Sequence, residues 1–223
     1  MRSLEEPLLA SRALLHGFGV RGAPPPDGVL RPRQVHGVAV ATAAECRAEP
    51  PPEADAVVSL EPRVPVAVVT ADCVPVLLAT PSGAGVAAIH AGWRGLADGV
   101  LAAGVAALAR VSSVEPAQLV AGIGPHIGPC CYEVDAPVLD ALASGHAEAL
   151  AEAARPVRPG HALLDLGRLA AAALAAAGLE EASIGRAASA CTHCDADRFH
   201  SYRRDGPRAG RLLHFIAASR VEG

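Results

Sequence analysis

The sequence predicts an α/β (α+β) fold: one layered domain over residues 1–223, with mixed β-sheets flanked by helices. Three observations predict it. With 223 residues, 51% of them apolar, the chain has material for one sizeable core and too little length for two independent ones. Short β-branched runs alternate with stretches whose apolar residues recur at helical spacing. Some runs are joined by tight turns and others by helical crossovers, which makes a mixed sheet rather than a purely parallel one.

The elements follow in chain order. Residues 23–27 hold three consecutive prolines and 49–53 are again Pro-rich; both read as rigid surface connections too short to separate domains. Residues 64–70 and 74–79 are apolar runs that read as buried strands, separated by the polar Ala71-Asp72-Cys73. Pro81, Ser82 and Gly83 make a turn into a third strand over 85–90. The segment Ala91-Gly92-Trp93-Arg94-Gly95 then leads into a helix over about 96–110, with Leu96, Val100, Leu101, Val105 and Leu108 on one face. Residues 119–123 form a strand stopped by Gly124 and Pro125. Asp135 as N-cap, with Pro137 in the first turn, starts a helix that runs to about 154 with an interruption at Gly145. An Ala-rich helix over 166–177 stops at Gly178. Weaker strand signals cover 183–188, and a final strand covers 211–218.

Composition excludes several functions. A net charge of -4 offers no footprint for nucleic acid or an anionic membrane. All 19 basic residues are Arg, with no Lys or Asn, a bias expected of a GC-rich genome. The most apolar stretch, 169–179, falls short of the roughly 18 residues a membrane span needs. Residues 1–17 carry Glu5 and Glu6 and lack the continuous apolar stretch of a secretory signal. Six cysteines without an export signal point to a reducing cytoplasm, where clustered Cys and His indicate metal binding or chemistry.

Three polar side chains stand where strands end: His36 in Gln34-Val35-His36-Gly37, Cys73 and His90. Two imidazoles and a thiolate suit zinc or copper, and three protein ligands leave a fourth position open, as in a catalytic zinc site. The same residues also fit a satisfied core histidine and a buried thiol, because no local motif links them. Arg94, between Gly92 and Gly95 near a helix start, is either an anion-binding guanidinium or a surface arginine packed on Trp93. Cys191 and Cys194 form a CxxC with no second CxxC to complete a four-cysteine site, although His193 or His200 could join them. A redox pair is one alternative, and a structural or substrate-facing loop is the preferred reading. Cys130 and Cys131 are adjacent, poor geometry for one shared metal, and read as buried small hydrophobes.

Taken together, Gln34-Val35-His36-Gly37, Ala71-Asp72-Cys73-Val74-Pro75 and His90-Ala91-Gly92-Trp93-Arg94-Gly95 form an ordered series. Gly124-Pro125 through Cys131-Tyr132-Glu133-Val134, Cys191-Thr192 and the run from Phe199 to Arg204 continue it. The series resembles the YfiH-type family, also called the laccase-domain or multicopper polyphenol oxidase family, from about Gln34 onward. The resemblance implies a layered fold with mixed sheets and one zinc held by His36, Cys73 and His90. It also implies phosphorolysis of adenosine, inosine and methylthioadenosine, with adenosine deamination, so that purine nucleosides and phosphate are the partners. Arg94 and Arg203 fall in motifs that fit phosphate or substrate recognition, and Asp72 stands beside a ligand where it can orient a group or carry a proton. Here Gly17-Phe18-Gly19 reaches Gln34 through a short Pro-rich run, whereas the family has a longer segment; this implies a differently built pocket wall, with altered substrate preference and the metal kept.

Two other chemistries compete for the same residues. A copper-dependent polyphenol oxidase needs many imidazoles, commonly in His-x-His pairs, and the nine histidines include no such pair, although a single copper would suit the three-ligand site. A metal-free cysteine hydrolase or amidase would use Cys73 as nucleophile and His90 as base. A binding module with a structural ion is the non-enzymatic reading.

Overall fold

The structure is a computed structural model that describes residues 2–187 and 190–220. Its strands are β1 (Leu15–Gly17), β2 (Val40–Thr42), β3 (Ala56–Ser59), β4 (Pro65–Thr70), β5 (Val74–Ala79), β6 (Val86–Ala91), β7 (Val120–Ile123), β8 (Glu133–Asp135), β9 (Ala154–Arg158), β10 (His161–Leu164), β11 (Ile184–Arg186) and β12 (Leu212–Ala217). The helices are α1 (Pro7–Ala10), α2 (Trp93–Asp98), α3 (Val100–Ser112), α4 (Ala136–Ala153), α5 (Leu166–Ala176) and α6 (Tyr202–Asp205).

A six-stranded sheet, ordered β11-β7-β5-β6-β3-β2, forms the middle layer. Its inner strands pair antiparallel, while β11 with β7 and β2 with β3 pair parallel, so the sheet is mixed as the alternation of hairpins and crossovers predicts. Strand geometry sends successive side chains to opposite faces. On β5, Val74, Val76 and Leu78 enter a core with Leu96, Val100, Leu101, Val105 and Leu108 of α2 and α3. Leu77 and Ala79 enter a second core with Val66 and Val68 of β4 and Ile216 of β12. Those last residues belong to a three-stranded antiparallel sheet, β1-β12-β4. Residues 74–79 are continuously apolar because both faces of their sheet are covered. A small antiparallel sheet, β8-β10-β9, carries the remaining strands.

Several sequence expectations are corrected. The helix expected over 96–110 is two helices, because Gly99 (φ 90°) adopts a left-handed conformation that caps α2 and starts α3. The strands expected over 64–70 and 74–79 are present as β4 and β5, which lie in different sheets, and Ala71-Asp72-Cys73 is the corner between them. The interruption in α4 falls at His146, whose ring hydrogen-bonds the Leu96 carbonyl oxygen (2.9 Å), one residue beyond the expected glycine. The strand expected over 183–188 is β11, and Ala188 lies outside the described residues. The short strands β1, β2, β3, β8, β9 and β10 carry too little pattern to stand out in the sequence. Among the described residues, no helix is long and apolar enough to cross a membrane.

Candidate metal centre

The antiparallel register of β5 and β6 sets Val74 opposite Ala91 and Pro75 opposite His90. Cys73, one residue before β5, therefore meets the end of β6. The corner is sharp enough to hold Asp72 at φ 90°. His36 arrives on a loop that runs along the free edge of β4. The side-chain amide of Gln34 pins this loop by donating to the Val69 carbonyl (2.8 Å) and accepting from the Val69 N–H (2.7 Å), in the manner of one rung of a sheet. His36 itself has φ 63°, and the backbone N–H groups of Val35, His36 and Gly37 all donate to the Asp55 carboxylate at 3.1, 3.0 and 2.7 Å.

The outcome is that one ligand atom each of His36, Cys73 and His90 lies within 4.8 Å of the others. A tetrahedral ion with bonds of about 2.0–2.3 Å places its ligands roughly 3.3–3.8 Å apart, so the trio fits one zinc-sized ion. The two rings meet edge to face, with centroids 4.8 Å apart. Asp55, without solvent exposure, also accepts from His90 Nδ1 at 2.7 Å, which leaves Nε2 of that ring free as a ligand atom. Gly92 completes the fit: a Cβ there would stand 3.1 Å from both Cys73 Sγ and His36 Cδ2.

Electrostatics follow from this packing. Burial pulls the Asp55 carboxyl upward, but His90 and the Gly37 and Val35 N–H groups outweigh it and hold it below the usual range. Burial likewise raises the Cys73 thiol, yet His36 and His90 bring it down to about 7. His90 is lowered by burial and raised more strongly by Asp55 and Cys73, to about 9. Thiolate character at Cys73 is what a metal ligand needs, and it is also what a nucleophile needs.

The trio opens on a pocket of about 720 Å³ whose lining includes Asp72, Trp93, Tyr132 and five arginines: Arg31, Arg33, Arg94, Arg203 and Arg211. Arg94 sits in the first turn of α2, not ahead of the helix as expected, with its guanidinium 4.2 Å from the centroid of Trp93. It is at once packed on Trp93 and on the pocket lining. Arg203 stacks on Tyr132 at 5.1 Å and donates to the Glu133 carbonyl. The carboxylate of Asp72 is engaged by the Thr192 hydroxyl (2.6 Å), the Ser201 hydroxyl (3.0 Å) and the Arg203 N–H (2.6 Å). A second depression, of about 860 Å³, lies among Leu139, Leu150, Pro156 and Val157 and brings no reactive cluster together.

Sequence reading missed Asp55 and the bracing role of Gln34. The available signal for Asp55 was a lone acid heading an otherwise apolar strand. The reading of Cys130 and Cys131 is corrected: Cys130 is exposed, Cys131 is half-buried, and their sulfurs cluster with those of Cys191 and Cys194 within 4.8 Å. A turn over 128–132, closed by hydrogen bonds from the Cys131 and Tyr132 N–H groups to the Gly128 carbonyl, puts both side chains on one side. Neither His193 nor His200 belongs to that cluster.

The family model described as multi-copper polyphenol oxidoreductase laccase matches residues 12–219. Purine nucleoside phosphorylase PA4543 of Pseudomonas aeruginosa is 42% identical over 183 residues, which are 82% of this chain and 71% of that protein. A crystal structure of Bacillus licheniformis hypothetical protein YfiH superposes with a TM-score of 0.83 at 26% identity, over 93% of both chains. YlmD from Geobacillus stearothermophilus superposes with a TM-score of 0.79 at 32% identity, over 87% of this chain and 74% of that one.

Proposed function

The chain belongs to the multi-copper polyphenol oxidoreductase laccase family, which includes the YfiH-type proteins, and from that membership we propose that it is a metal-dependent purine nucleoside phosphorylase. The observation that carries the reading is the pairing of the His36–Cys73–His90 trio with an arginine-lined pocket of nucleoside size. Phosphate is a dianion, and the guanidinium groups of Arg94 and Arg203, each braced on an aromatic ring, offer it charged donors. In phosphorolysis a phosphate oxygen forms a bond to ribose C1′ while the bond from C1′ to the purine nitrogen breaks. The purine leaves with that electron pair and takes up a proton, and ribose 1-phosphate is the second product.

His36, Cys73 and His90 would hold the ion, which we assign as zinc because the set mixes one soft thiolate with two imidazoles. A bound ion of this kind supplies Lewis acidity for the accompanying deamination, in which adenosine and water give inosine and ammonia. Asp55 orients His90, and Asp72 acts as a positioning residue that ties the segment carrying Arg203 to the ligand corner. Substrates proposed are adenosine, inosine and methylthioadenosine. Six free thiols fit a reducing cytoplasm.

Incubating zinc-loaded protein with adenosine and phosphate tests this. Adenine, hypoxanthine and ribose 1-phosphate are the expected products, and their absence would end the reading. The family description favours copper chemistry as a second reading. A multicopper oxidase needs many imidazoles, and among the described residues the ligand clusters contain only His36 and His90. Several coppers per chain would overturn the zinc assignment. A Cys73 nucleophile with His90 as base is the third reading; loss of activity with chelator and rescue by zinc would exclude it.

A further inference from the structure

We propose that Cys130, Cys131, Cys191 and Cys194 hold a second ion, a structural zinc in a closed four-sulfur site that staples the wall of the pocket. The four sulfurs converge from two segments about sixty residues apart, and all lie within 4.8 Å of one another. Cys131 Sγ is 3.3 Å and Cys130 Sγ 3.6 Å from Cys194 Sγ. A tetrahedral zinc with bonds of about 2.3 Å separates its sulfurs by roughly 3.8 Å, within this spread. A multinuclear iron–sulfur cluster needs a wider cage. Cys194 approaches both Cys130 and Cys131, so the arrangement is four atoms about one centre and not two isolated pairs. The Gly128 N–H donates to Cys191 Sγ at 3.2 Å, the kind of outer contact that orients a thiolate ligand.

Binding is a proton-for-metal exchange. Four thiols lose four protons to solvent, four sulfur lone pairs fill the coordination sphere, and nothing is oxidised. With four protein ligands no position stays open, which makes the site structural and not catalytic.

Its position gives the ion a purpose. Cys130 and Cys131 precede Tyr132, on which Arg203 stacks. Cys191 precedes Thr192, and the Thr192 hydroxyl and Arg203 N–H both hold Asp72 next to the ligand Cys73. One ion at the four sulfurs therefore locks together the two segments that present Tyr132 and Arg203 to the pocket. The assignment stands on the sulfur geometry and does not depend on the substrate.

Cys73→Ala removes the first site and isolates the second. Purified without chelator, wild-type protein is expected to carry two zinc ions per chain, Cys73→Ala one, and Cys73→Ala with Cys191→Ser and Cys194→Ser none. Cobalt exchanged into Cys73→Ala should give the intense thiolate charge-transfer absorption of a tetrahedral four-sulfur site. That readout decides the matter even if the serine variants fail to fold. Metal-free Cys73→Ala, whether its cysteines alkylate freely or prove disulfide-bonded, would overturn the proposal. Iron with inorganic sulfide would overturn it too, as would a zinc that survives replacement of Cys191 and Cys194 in Cys73→Ala.

Discussion

Asp55 gathers three backbone N–H groups and the His90 ring on one carboxylate shielded from solvent, so a single side chain shapes the His36 loop and orients the His90 ring proposed as a ligand. Asn in its place keeps the volume but offers one accepting oxygen instead of two, and sets an N–H₂ against N–H donors. Asp55→Asn should weaken metal binding by about 10- to 100-fold, measured by competition with a chromophoric chelator. Unchanged affinity would remove Asp55 from the site. Gly92 makes a complementary case, because the added methyl of Gly92→Ala would press on Cys73 Sγ and His36 Cδ2 at 3.1 Å. The expected result is metal affinity reduced by about tenfold or more, with the melting temperature of the metal-stripped protein nearly unchanged. A large loss of stability without loss of affinity would show that Gly92 serves the fold and not the ligands. His36, Cys73 and His90 were visible as residue types of the right chemistry. Asp55 was not, because an acid ahead of a strand becomes informative only once the loop that folds onto it is known.

At the scale of elements, strands β4, β5, β6, β7 and β12 and helices α4 and α5 were legible to within about two residues at each end, because a covered strand is a continuous apolar run and a half-buried helix shows its period. The break between α2 and α3 was not legible, since the apolar period runs through Gly99 without a change. This difference can be measured. Gly to Ala in the interior of a continuous helix stabilises by roughly 0.5–1 kcal/mol. The structure puts Gly99 at φ 90° with open space around it, so Gly99→Ala should instead destabilise by about 1 kcal/mol from backbone strain alone. Gly104 has helical geometry, but its Cβ would run into Ile89 Cδ1 on β6, so Gly104→Ala should cost about 1–3 kcal/mol through overpacking. Guanidinium unfolding midpoints check both, and a more stable Gly99→Ala would restore a single helix across this region.

At the scale of the molecule, the layered architecture and the motif order could be read from the sequence, whereas the crossing of the chain between sheets at residues 71–73 could not. The pairing partner of β4 is β12, more than 140 residues later, and no local pattern announces a partner at that range. The same long-range pairing buries His214 completely between the layers. There Nδ1 accepts from the Gly19 N–H (3.2 Å) and Nε2 donates to the Thr70 hydroxyl (2.9 Å), so the neutral ring satisfies both neighbours. Burial, with a smaller contribution from the charge on His90, pushes its pKa from 6.5 down to about 3. Unfolding returns the ring to water, where it binds a proton near pH 6.5. Between about pH 3 and 6.5 the unfolded chain thus holds more protons than the native one, and stability rises with pH across that window. The contribution is complete above 6.5 and is lost progressively as the pH falls toward 3, roughly 5 kcal/mol in all. Unfolding free energies of wild type and His214→Gln, measured by denaturant at a series of pH values, isolate this residue from the other histidines. The wild type should lose stability more steeply on acidification than the variant, and parallel curves would mean that His214 keeps an ordinary pKa and that the interface between the two sheets admits water.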